Sequence, residues 1–144
     1  MQTDVANALR RIEPGTAPDT FRAEFRFDPA MPAFAGHFPG NPLLPGVFQI
    51  EMVRAAVNAR TCESHEIVRV TKAKFSRPVL PGETIIMEAA LIQDAGSARV
   101  KAVLRVGQET ASTISMVVRK QVHGDERQCV RARRQVLPCC YMEP

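Results

Sequence analysis

The sequence contains no tryptophan and a single tyrosine, Tyr141, among its 144 residues. Nucleic-acid surfaces stack bases on aromatic side chains, so this scarcity argues against such a partner, and no nucleic-acid motif is present to oppose that reading. No run of 18 apolar residues occurs, so neither a transmembrane helix nor membrane insertion is expected. The opening, MQTDVANALRRIEP, has no long apolar core behind a basic patch, and no secretory leader is expected from it. Only four cysteines are present, Cys62, Cys129, Cys139 and Cys140, none in a CxxC or Cys/His spacing. A metal site is therefore not expected, and the thiols are expected to be reduced in a cytoplasmic protein. Internal repeats and low-complexity tracts are also missing.

What remains is ordinary globular composition, 45% hydrophobic and 24% charged, at a length that suits one domain. The net charge of +4 is uneven. Residues 119–144 hold six Lys/Arg against three Asp/Glu, while the rest of the chain is nearly neutral. A single domain over residues 1–120 is expected, followed by a basic tail over 121–144 that is flexible or forms a short extra helix. A mild basic excess can steer an acidic partner.

Alternation of period two marks strands. In FRAEFRF, Phe21, Ala23, Phe25 and Phe27 share one face. ETIIMEAALI aligns Ile85, Met87, Ala89 and Leu91; SARVKAVLRV aligns Ala98, Val100, Ala102, Leu104 and Val106. TASTISMVVRK continues the habit, and EIVRVTKAKF reads as a less regular fifth strand. The Pro- and Gly-bearing links PVLPGE and QDAGS predict an antiparallel meander for the last four. PGVFQIEMVRAAVNAR, residues 45–60, predicts instead a helix of about four turns, apolar nearly all round and so buried on most sides. The expected class is α+β, an antiparallel sheet wrapped around one long central helix.

Glu51 sits inside that helix. Burial in apolar surroundings disfavours a charged carboxylate and would suit it to general-acid work. A plainer reading is an ion pair with Arg54 at i+3, on a polar stripe with Asn58. His37 lies in the stretch FAGHFPGNP, whose Pro and Gly residues fix backbone directions. Histidine is a common general base, though a lone loop histidine is more often structural. Gly46, at the helix start, offers a backbone N–H and the positive end of the helix dipole to an oxyanion.

GHFPGNPLLPGVFQIE (residues 36–51) resembles the signature of the FabZ/FabA-type 3-hydroxyacyl-[acyl-carrier-protein] dehydratases. KFSRPVLPGETIIME (residues 74–88) is similar to the strand–turn–strand that follows the helix in that family. The resemblance implies a hotdog fold and a homodimer or higher homo-oligomer. It implies dehydration of a (3R)-hydroxyacyl chain on acyl carrier protein to the trans-2-enoyl thioester, without a cofactor. It casts His37 of one subunit and Glu51 of the other as the catalytic pair. Gly46 would bind the thioester carbonyl and the Leu43 carbonyl would orient the histidine. Phe38 and Arg54 would complete the substrate-binding set, the acyl chain lying in a tunnel between subunits.

Two departures from the family pattern stand out. Ala55 replaces a glutamine usual in the family's helix, and Arg54 beside it is free in sequence terms to reach substrate or carrier. The acid is Glu, as in the FabZ type, which implies dehydration without double-bond migration. Two alternatives are a hotdog acyl thioesterase and a non-catalytic subunit that binds carrier-held chains or completes a heterodimer.

Overall fold

The computed structural model describes residues 2–31, 34 and 43–121. A short helix α1 (Gln2–Ala8) leads into strands β1 (Leu9–Pro14) and β2 (Thr20–Arg26). The long helix α2 (Gly46–Thr61) follows, then β3 (His65–Phe75), β4 (Thr84–Asp94), β5 (Ser97–Val106) and β6 (Glu109–Lys120). All six strands join one antiparallel sheet in the order β1-β2-β4-β5-β6-β3.

The alternating residues behave as their spacing predicts. Phe21, Ala23, Phe25 and Phe27, Ile85, Met87 and Ala89, and Ala98, Val100, Ala102 and Leu104 are all buried. They form the concave face against which α2 lies. Met52, Val53, Ala56 and Val57 of α2 are fully enclosed there, and each larger apolar side chain so buried contributes about 1.5–3 kcal/mol. The helix is not buried all round: Val47 is 53% exposed.

Three expectations change. First, α1 and β1 add a helix and a sixth strand. Val5 and Ala8 of α1, with Leu9 and Ile12 of β1, close one end of the core. Second, only β4, β5 and β6 form a meander. Strand β3 pairs with β6, not with β4, so the segment after Phe75 crosses to the far side of the sheet. Third, Cys62, which caps α2 in a left-handed conformation (φ 59°), is disulfide-bonded. The expectation of reduced thiols does not hold there; the other three cysteines, like the rest of the tail beyond Gln121, lie outside the described residues. No helix among the described residues is long and apolar enough to cross a membrane.

Candidate active site

The start of α2 is built by its flanking backbone. Leu44 N–H donates to the Val79 carbonyl (2.8 Å), tying the chain to the crossing segment just before the helix. Pro45 is extended (φ −61°, ψ 147°), and its carbonyl accepts from Phe48 N–H (3.0 Å) and Gln49 N–H (3.4 Å). The first N–H groups of a helix have no partner within it, and Gly46 N–H donates no hydrogen bond among the described residues. The Phe75 ring approaches the helix start closely at this glycine. A Cβ at position 46 would lie 2.9 Å from the tip of the Phe75 ring. That ring, together with Val47 and Leu80, leaves an exposed apolar rim around the helix start. Leu43 is half-buried at its edge.

Glu51 lies five residues on, about 7.5 Å along the axis. Its side chain is 9% exposed. Arg54, one turn later and equally enclosed, forks onto it: Nε donates to Oε1 (2.9 Å) and Oε2 (3.1 Å), and Nη2 to Oε1. The i+3 ion pair is thus the arrangement found. Arg54 Nη1 donates to the carbonyl of His65 (2.8 Å).

His65, the first residue of β3, is itself buried. Its backbone N–H and its Nδ1 both meet Asn58 Oδ1, at 2.9 and 3.0 Å. Burial is the main force lowering its pKa below the usual 6.5; Lys120 and Arg54 add to this, and the Glu63 carbonyl and carboxylate oppose it. The stripe Glu51–Arg54–Asn58 therefore faces the start of β3 rather than solvent. His65 was not among the residues singled out from sequence. Its only signal was the polar stripe at i, i+3 and i+7, whose destination the sequence does not show.

Glu51 and Arg54 are thus brought together, with Leu43 and Gly46 at the head of the same helix. His37 and Phe38 lie outside the described residues. No group of His, Cys, Asp and Glu able to hold a metal ion occurs among the described residues.

A six-stranded antiparallel sheet sharing one core with a long helix is the architecture of a hotdog-fold protein. The solved ApeI:P dehydratase heterocomplex from Xenorhabdus doucetiae superposes with a TM-score of 0.62 at 25% sequence identity, covering 77% of this chain and 96% of that one. PH1136 from Pyrococcus horikoshii shares the fold at 14% identity, with a TM-score of 0.59 over 74% of this chain and 78% of its own. The family model for ApeI dehydratase, ApeI-like, matches residues 13–115, and the chain belongs to that family. The 3-hydroxyacyl-[acyl-carrier-protein] dehydratase FabZ of Pectobacterium atrosepticum is 36% identical over 60% of this chain. The chain spans 64% of the length of that relative.

Proposed function

We propose that the chain catalyses reversible removal of water from a (3R)-3-hydroxyacyl thioester on acyl carrier protein, giving the trans-2-enoyl thioester. The observation that carries this reading is the buried Glu51, held one and a half turns inside a helix whose first N–H is open, in a chain of the ApeI-like family. His37 takes a proton from C2. The negative charge that develops on the thioester oxygen meets Gly46 N–H and the positive end of α2, a kind of donor worth about 2.7–4 kcal/mol. The C3–O bond breaks, and the hydroxyl leaves as water with a proton passed by Glu51. The net loss is one hydrogen from C2 and one hydroxyl from C3, together one water; His37 is left protonated and Glu51 deprotonated, and a proton passed back from His37 to Glu51 resets the pair.

Assembly is part of the proposal, because His37 and Glu51 are supplied by different subunits. Strand β3 is the natural seam. It is 11 residues long, it pairs on one side only among the described residues, and Val68, Val70 and Phe75 are exposed on it. The other subunit is a second copy of this chain. A heterologous subunit is the second reading, favoured by the heterocomplex in which the Xenorhabdus relative was solved.

The test is turnover of 3-hydroxyacyl chains of several lengths on acyl carrier protein, followed by formation of the enoyl product. His37→Ala and Glu51→Gln are each expected to lower kcat by about 10²–10⁴. Undiminished product formation by both variants would refute the assignment. Free thiol released with no enoyl product would point to a thioesterase, and carrier binding without turnover to a non-catalytic subunit.

A further inference from the structure

We propose that Arg54 is the positioning residue of this site: it anchors Oε1 of Glu51 and leaves Oε2 to meet the substrate hydroxyl. The inference rests on the dehydration reading and assigns a role to the cation that, among the described residues, is held against the carboxylate. A guanidinium has donors only, set in a rigid planar fork. Oε1 accepts from two of its nitrogens, while Oε2 accepts one longer bond of 3.1 Å. Each carboxylate oxygen has about two acceptor positions. Oε1 is therefore filled, and Oε2 keeps one position for the proton that it passes to the departing hydroxyl.

The fork is held from behind as well. Nη1 is fixed by the His65 carbonyl, and His65 by two contacts to Asn58. Glu51 is thereby tied through Arg54 to both α2 and the first residue of β3. All three guanidinium nitrogens have protein acceptors, so the residue acts through Glu51 rather than by reaching substrate. The fork also supplies the polar neighbour that Ala55, lacking a polar side chain, does not. A lysine at 54 would keep the charge but present a single point in place of two aligned donors. A carboxyl group left to sample rotamers loses near-attack geometry, where a misplacement of about 1 Å can cost on the order of 100-fold in rate.

The experiment is a double-mutant cycle on the full chain, with a short 3-hydroxyacyl thioester on acyl carrier protein as the probe. Arg54→Gln is expected to lower kcat by on the order of 100-fold with little change in KM, and Arg54→Lys to recover part of the loss. Combined with Glu51→Gln, Arg54→Gln should add no further loss, because both changes act on one carboxyl group. Multiplying effects, or a rise in KM at unchanged kcat, would overturn the role. Should Arg54→Gln melt below the assay temperature, the same cycle run with Arg54→Lys decides the matter. Crystal structures of the Arg54 variants give a readout independent of turnover. A Glu51 carboxyl displaced from its present rotamer supports the role, and an unmoved one overturns it. Inactivity of the unaltered chain, by contrast, counts against the dehydration reading, and the crystal structures still decide what Arg54 does.

Discussion

His65 shows what burial does to a single titratable ring. Its pKa is lowered from 6.5, chiefly by loss of water around it, with Lys120 and Arg54 pushing the same way and Glu63 opposing. A basic group whose pKa is lower in the folded state binds its proton first in the unfolded chain. The stability tied to neutral His65 is therefore present above 6.5 and lost as pH falls through the folded value. Thermal melts at pH 7.5 and 5.5 should show a lower Tm at the acid end. His65→Gln, which cannot titrate and keeps an amide for Asn58, should flatten that difference. An equal fall in Tm for both proteins would remove His65 from the account. At the same scale, Glu51 and Arg54 show how far residue types alone can lead. Their i, i+3 spacing made the ion pair legible. The third member of the arrangement was not, because Arg54 reaches a backbone carbonyl, and carbonyls carry no side-chain pattern.

At the scale of elements, the turn joining β1 and β2 is the tightest described point. Gly15 N–H donates to the Thr20 carbonyl (2.9 Å), and the Thr20 hydroxyl donates to the Ala17 carbonyl. A Cβ on Gly15 would lie 2.8 Å from Thr20 Cβ and 3.0 Å from its carbonyl carbon. Backbone atoms cannot step aside as a side-chain tip can, so Gly15→Ala should cost about 1–3 kcal/mol. Urea unfolding would measure it, and an unchanged midpoint would show that the turn relaxes freely. This hairpin is also where sequence pattern failed. In LRRIEP only Leu9 and Ile12 are buried, and a register shift between Leu9 and Arg11 breaks the period of two. Helix α1 is seven residues long and buries only Val5 and Ala8, too little for a periodic signal. Strands β2, β4, β5 and β6 were readable because each buries three or more alternate residues in a row. The exchange that sets β3 beside β6 was not, since four alternating segments with short links are equally compatible with a plain meander. Long-range pairing decided between them.

For the whole molecule, the decisive question is what pairs with β3. Along its exposed length Arg69, Lys72 and Lys74 make no ion pair among the described residues, whereas Arg77, Arg119 and Lys120 do. Two copies joined edge to edge would bring both sets of cations together. Side chains directly opposite in such a ladder have Cβ atoms about 4.5–5.5 Å apart and diagonal ones about 7–8 Å, and like charges there are destabilising. Charged edges of this kind also discourage unwanted strand pairing. The exposed Val68, Val70 and Phe75 pull the other way. A homodimer formed on this seam must therefore respond to ionic strength. The Debye length is about 10 Å at 0.1 M and about 3 Å at 1 M, so salt screens the repulsion while leaving apolar burial in place. Sedimentation velocity should show self-association strengthening between about 0.1 M and 1 M salt. Lys72→Glu, present in both copies, should strengthen it at low salt by up to about 30-fold, the equivalent of about 2 kcal/mol for the two symmetry-related unfavourable pairs relieved. Should the chain instead remain monomeric at every salt concentration and join an acidic-edged hotdog subunit in a complex that weakens as salt rises, the second copy is the wrong partner. The site would then be completed by a heterologous one.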